Sequence, residues 1–198
     1  MSTVPPEEIE RAAQAIEAGE LVVYPTETVY GLGADALDAE AVESVFEAKG
    51  RDRSDPLSMA VPDLATAREY TSPTARERAF IEQFLPGPVT VVLQRKSMVP
   101  DGLTAGSERV GIRIPDHEVA LELARRAGPI TATSANVSGT GSARSVADLD
   151  EAIQNAAAVV LDGGETPGGG STVVDVETGE IHRRGARADE IDAWLAEH

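Results

Sequence analysis

A single α/β domain is the fold class this sequence predicts, on three observations. Short apolar runs alternate with amphipathic helical periods along the chain, without an internal repeat or a long linker. The 198 residues suit one domain, spanning 1–198, with a substantial core. Hydrophobic residues make up 41% and charged residues 26%, a globular balance, and no segment reaches the ~20 apolar residues of a membrane span.

Each element has its own signal. Ile9, Ala12, Ala13 and Ile16 share one helical face, and Gly19 is placed to end that helix. Leu21 to Tyr24 predicts a strand that Pro25 terminates. Val42, Val45 and Phe46 mark a second helix, closing at Lys49-Gly50. Leu57 to Val61 predicts a strand, followed by helices over 63–70 and 73–84, the latter capped by Ser72 with Pro73 in its first turn. Val89–Leu93 and Val110–Ile114 are β-branched runs. Asp116 is placed to cap a helix through Arg126, and Ile130–Thr133 returns as a strand. A helix near 148–155, strands at Val159–Leu161 and Thr172–Val176, and a helix over 188–196 complete the order. Gly163 to Gly170 is a glycine-rich loop.

Composition narrows the function. The chain has no cysteine, which excludes disulfides, thiolate nucleophiles and cysteine-ligated zinc. With no basic or apolar start at Met1–Pro6, no export signal is expected, and the expected setting is reducing and cytoplasmic. Seventeen basic against 34 acidic residues leave a charge of −17, which repels phosphate backbones and argues against strong direct nucleic-acid binding. Such a surface also suits a high-salt cytoplasm. Lys49 and Lys96 are the two lysines among those 17 cations, so a lysine retained beside glycine and arginine invites a specific role.

Four stretches carry possible chemistry. In "LVVYPTETVYGLGADA", residues 21–36, a strand empties into two threonines, a glutamate and two glycines, at the end of an α/β strand where ligands collect. The plain alternative is an elaborate turn with a threonine cap. "AKGRDRSDPL", residues 48–57, sets Lys49, Arg51 and Arg53 within five residues. The helix dipole accounts for Lys49 alone, whereas alternating cations on a loop suit a polyphosphate. "ITATSANVSGTGSARS", residues 130–145, repeats the pattern with Thr131, Thr133, Ser134, Asn136 and Ser138, or is an Asn/Ser turn. "GETPGGGS", residues 164–171, mimics a phosphate loop, but Gly170 stands where its lysine belongs and a strand follows instead of a helix. It is rejected as such and kept as a candidate lid.

His117, His182 and His198 lack metal-ligand spacing, so no protein-held metal is expected, and no serine sits in a nucleophile elbow. What remains is the positioning of two substrates and stabilisation of charge.

Six motifs in order carry a resemblance over nearly the whole chain: "YPTETVYGLGADA", "KGRDRSDPL", "PGPVTVVL", "VGIRIPDH", "TSANVSG" and "STVVDV". The chain resembles the YrdC family of threonylcarbamoyl-adenylate synthases. That resemblance implies a twisted mixed sheet with flanking helices and a concave active-site face. It implies L-threonine, bicarbonate or CO2, and ATP with Mg²⁺ as reactants, and threonylcarbamoyl-AMP and pyrophosphate as products. A downstream transferase complex would then modify a tRNA adenosine. Thr26 would contact threonine, Arg113 would pair with its carboxylate, and Ser171 would close over it. Lys49, Arg51 and Arg53 would hold ATP phosphates, with Ser134 and Asn136 opposite. Of these, Lys49, Arg51, Ser134 and Asn136 are the expected catalytic set. Ser58, Arg109, Ser142 and Arg183 would line the nucleotide site. Two departures stand out: Arg183-Arg184-Gly185 replaces a frequent Arg-Pro-Gly, and Arg109 replaces a common threonine. Some members carry a second C-terminal domain, which is not expected within these 198 residues. The competing readings are a non-catalytic RNA-binding domain and a hydrolase acting on an adenylate.

Overall fold

The computed structural model describes residues 4–198, so the Met1–Thr3 portion of the terminus read for an export signal lies outside the described residues. Helix α1 (Pro6–Glu17) buries the predicted Ile9, Ala12, Ala13 and Ile16, and Gly19 closes it at φ 84°. Strand β1 (Leu21–Tyr24) pairs antiparallel with β2 (Gly31–Gly33). Helix α2 (Ala39–Lys49) is capped by Asp38, which accepts from Glu40 N, and ends at a left-handed Gly50. Then follow β3 (Ser58–Ala60), α3 (Leu64–Tyr70), α4 (Ala75–Phe84), β4 (Val89–Gln94), α5 (Asp101–Thr104), β5 (Arg109–Arg113), α6 (Glu118–Ala127) and β6 (Ile130–Ser134). A 3₁₀ turn at Val146–Asp148, α7 (Glu151–Ala156), β7 (Ala157–Val160), β8 (Thr172–Asp175), β9 (Glu180–Arg183) and α8 (Ala188–Glu197) complete the chain.

Two predicted caps are misplaced. Helix α4 starts at Thr74, not Ser72: Glu77 N donates to Thr74 Oγ1 at 3.2 Å and Glu77 Oε2 accepts from Thr74 N at 2.7 Å. That reciprocal pair needs an acidic residue three positions on, which Ser72 lacks. Helix α6 starts after His117, with no side-chain cap, so Asp116 lies one residue outside it.

The described strands form one mixed sheet in the order β7-β1-β2-β6-β3-β5-β4-β8-β9. Strand β6, next to the central β3, pairs antiparallel on both sides, Thr133 with Leu32 of β2 and Ala132 with Ser58 of β3. Strand alternation sends Leu21, Val23, Met59, Val91, Leu93 and Ile112 to one face. There they meet Val45 and Phe46 of α2, Phe80 and Phe84 of α4, and Trp194 of α8. Phe80 and Phe84 stack at 4.4 Å and Trp194 meets Phe80 edge-on at 5.0 Å. Each such side chain contributes about 1.5–3 kcal/mol on burial. On the opposite face, α1 and α6 pack against Val22, Tyr24, Ala60, Ile130, Val159 and Leu161. The rest of that face is left concave.

Candidate active site

A cavity of about 600 Å³ occupies the uncovered part of the sheet. Its floor is made of alternate residues: Ser58 and Ala60 of β3, Thr90 and Val92 of β4, Gly111 and Arg113 of β5, Ala132 and Ser134 of β6. Period-two geometry puts each pair on one side while its large neighbours enter the core. Glycine is required at 111, where a Cβ would stand 2.4 Å from Ser58 Oγ. It is required equally at 31, where a Cβ would stand 2.7 Å from the Tyr24 ring. Tyr24 lies across β2 and donates to Thr131 O at 3.1 Å, and burial pushes its phenol pKa up. The cavity thus sits on the sheet face rather than beyond the strand ends where the hydroxyl clusters led us to expect it.

Most predicted residues reach this wall: Thr26, Ser58, Ser134, Ser142 and Ser171, with Arg51, Arg109, Arg113 and Arg183. Arg51 is steadied by the carbonyls of Asp55 and Pro56, both at 3.1 Å. Arg183 Nη2 donates to Ser171 Oγ at 2.7 Å and its Nε to Ser171 O at 3.0 Å. Burial first, then the neighbouring Arg113 and Arg51, lowers the Arg183 pKa, the signature of cations sharing one enclosure. Arg184 is different: it is exposed and paired with Asp189 and Asp192. The cavity-facing arginine of this pair is therefore Arg183.

Four expected residues behave otherwise. Lys49 is 1% exposed and off the wall. Its Nζ donates to Ser134 O at 2.5 Å and Asn136 O at 2.7 Å, and its own carbonyl accepts from Ser138 N at 2.8 Å. Burial, then Arg51, lowers its pKa to about 8. Asn136 also lies off the wall, donating to the carbonyls of Val137 and Thr140 while its buried Oδ1 has no partner. Arg53 points away, exposed and paired with Glu43. Arg109 is on the wall but surrounded by Glu77, Asp175 and Glu177, which offset its charge. Thr131 is structural, its hydroxyl tying Leu32 O and Ala34 N.

The threonine turn is a closed relay. Arg113 Nη2 donates to Thr28 Oγ1 at 2.9 Å, and Thr26 Oγ1 donates to Val29 O at 2.6 Å. Thr26 has no second hydrogen, so in their 3.0 Å contact Thr28 is the donor. With Thr28 N also donating to it, the Thr26 hydroxyl is fully engaged in its own turn. The glycine-rich loop roofs the cavity through Gly170 and Ser171. Tyr30 holds it by donating to Gly164 O at 2.7 Å, and Gly168 N donates to Thr28 O at 2.7 Å.

Sequence reasoning noticed Glu27 and Thr28 within the threonine stretch, and His182 as a histidine without metal spacing, but gave them no role, and it passed over Tyr30 and Thr90. The available signal for Thr90 was the recurrence of small or polar residues at every second position of otherwise apolar strands. His182 stands on the wall from β9, an edge strand without apolar alternation.

Fold and site together define a class: a concave α/β domain whose cavity wall combines arginines and hydroxyls, side chains with the chemistry to receive anionic groups. The chain belongs to the Sua5/YciO/YrdC family, whose model, described as "Telomere recombination", matches residues 14–185. It is 42% identical over 170 residues to the threonylcarbamoyl-AMP synthase of Pyrococcus abyssi, covering 83% of this chain and 49% of that protein. The Bacillus subtilis protein of the same name is 40% identical over 172 residues, covering 84% and 49%. This chain thus spans about half the length of these two relatives. The crystal structure of P. abyssi Sua5 complexed with L-threonine superposes with a TM-score of 0.89 at 39% identity, covering 96% of this chain and 57% of that one.

Proposed function

We propose that this chain makes threonylcarbamoyl-AMP and pyrophosphate from L-threonine, bicarbonate or CO2, and ATP. The observation that carries this reading is the convergence of Arg51, Arg113 and Arg183 in one 600 Å³ cavity of a protein with net charge −17. The volume lies within the ~300–1,000 Å³ of small-ligand sites. The relative bound to L-threonine supports an amino-acid end in the same cavity.

The threonine amine captures CO2 as a carbamate. A carbamate oxygen then attacks the α-phosphorus of ATP, and the bond to the β-phosphate oxygen breaks as pyrophosphate leaves. No protein nucleophile is needed; the chain supplies alignment and charge. Arg51 and Arg183 hold the phosphates, each charge-assisted contact contributing about 1.5–3 kcal/mol. Ser134, Ser58 and Ser142 border the nucleotide, while Lys49 and Asn136 serve through the loop they shape. Arg113 takes the threonine carboxylate, with Thr26 and Ser171 bordering that end.

Among the described residues no three His, Asp or Glu side chains gather into a metal site. Our reading has Mg²⁺ arrive on the nucleotide, retaining several waters, rather than in a carboxylate cage of the chain. On the nucleotide it would offset phosphate charge, alongside Arg51 and Arg183. The product is a mixed anhydride suited to a downstream tRNA threonylcarbamoyl transferase complex in the cytoplasm. Among the described residues no helix is long and apolar enough to cross a membrane.

The test is pyrophosphate release measured with threonine and bicarbonate omitted in turn. Release that needs both supports the synthase. Phosphate or pyrophosphate release without threonine points to a hydrolase, and retention of RNA without turnover points to a binding module.

A further inference from the structure

The Thr26-Glu27-Thr28 turn contains an acid that the proposed chemistry leaves without a task. Glu27 is absent from the cavity wall, and its side chain is 14% exposed. Its Oε1 accepts from Arg113 Nη2 at 2.8 Å, while Oε2 is buried with no hydrogen-bond partner. Thr28 Oγ1 accepts from the same Nη2 at 2.9 Å. A terminal guanidinium nitrogen has two hydrogens, so both are taken. Arg113 Nε is buried without a partner, and no hydrogen bond joins Nη1 to the described residues. The guanidinium is gripped at one corner, and the free corner belongs to a side chain that lines the cavity.

Charge gives the grip a second effect. Arg51 and Arg183 stand on the same wall with no carboxylate within ion-pair distance among the described residues, whereas Arg113 has Glu27 against it. A triphosphate seeks the cations that remain uncompensated. A guanidinium already offset by one carboxylate holds a polyanion less strongly, yet still offers directed hydrogen bonds to a single carboxylate.

We propose that Glu27 is a positioning residue that reserves Arg113 for the amino-acid carboxylate. It fixes Nη2 so that Nη1 faces that carboxylate, and its charge keeps Arg113 from being drawn to the nucleotide phosphates. This deepens, and rests on, the reading of Arg113 as the carboxylate partner of threonine.

The experiment compares wild type and Glu27→Gln by initial rates of pyrophosphate release over ranges of threonine and ATP. Glutamine keeps the length and an acceptor oxygen and removes the charge. The expected result is a rise of about tenfold or more in the KM for threonine, with the KM for ATP unchanged or lower and kcat within about threefold. On an Arg113→Lys background the substitution adds little, since the two act as one unit. Threoninol, which lacks the carboxylate, competes equally well against both proteins. Thr28→Val, which retains the charge and removes the second acceptor, raises the same KM by less and serves if Glu27→Gln does not fold.

Equal changes in both KM values, additivity with Arg113→Lys, or weaker threoninol binding in the variant would overturn the proposal. If wild type shows no threonine-dependent release, the underlying reading fails. If wild type behaves as expected and the Glu27 and Thr28 variants are silent, only this inference fails.

Discussion

Replacing Lys49 with methionine isolates the energetics of a buried ammonium held only by carbonyls. Two opposing terms change at once. Ser134 O and Asn136 O lose their donor, about 1.5–3 kcal/mol for each charge-assisted bond. In return, the desolvation that lowers the Lys49 pKa from 10.5 to about 8 disappears. A lysine with a folded value below its unfolded one opposes folding in full while both states are protonated. That opposition fades as pH rises through the folded value toward the unfolded one. With those two values, wild type gains about 2 kcal/mol between about pH 7 and pH 9.5 from this residue alone. Lys49→Met gains none of it. Urea unfolding of both proteins at the two pH values gives the difference directly, because every other titrating group is common to both. The stability gap in favour of wild type should widen by about 2 kcal/mol at the higher pH. A constant or narrowing gap would refute the assignment of Lys49 as a buried, desolvated peg.

Other perturbations address the wall and the surface. Arg183→Ala should lower kcat/KM for ATP by roughly 10–100-fold through a lost charge-assisted contact, while Arg184→Ala stays within about twofold. Steady-state kinetics decides between them, and equal effects would reverse the choice of arginine. Gly111→Ala drives a methyl into Ser58 and Thr90 and should lower stability by about 1–3 kcal/mol while raising the KM for ATP. A silent variant would mean that the floor yields easily. With a net charge of −17, the thermal midpoint should rise steadily from about 0.1 to 2 M KCl as self-repulsion is screened. A flat or falling curve would remove the link between acidity and salt.

The helices and long strands were legible because their apolar periodicity is dictated by one buried face. Val89–Leu93 and Ile9–Ile16 needed no tertiary information. Gly31–Gly33 was not legible, since two glycines read as a turn until the Tyr24 ring is seen to require their missing side chains. Strand β9, largely exposed, and the four-residue α5 carry no periodic signal. In the site, residue type announced the cations and hydroxyls, but direction did not follow. Lys49 and Arg53 flank Arg51 in sequence, yet one turns inward to carbonyls and the other outward to Glu43. Partners outside the loop decide that, and the role of Glu27 stayed unread for the same reason: its partner is 86 residues away.

Thr28 has two attachments that concern different parts of the molecule. Its hydroxyl accepts from Arg113, and its carbonyl accepts from Gly168 in the glycine-rich roof. One residue therefore links Arg113 to the cover and the cover to Arg113. Thermodynamic reciprocity makes that exchange symmetrical: whatever factor an occupied Arg113 contributes to holding the roof down, a seated roof contributes to the affinity for the amino acid. On the proposed function, adding threonine should slow amide exchange at Gly168, and an analogue that fails to engage Arg113 should leave that exchange at its unliganded rate.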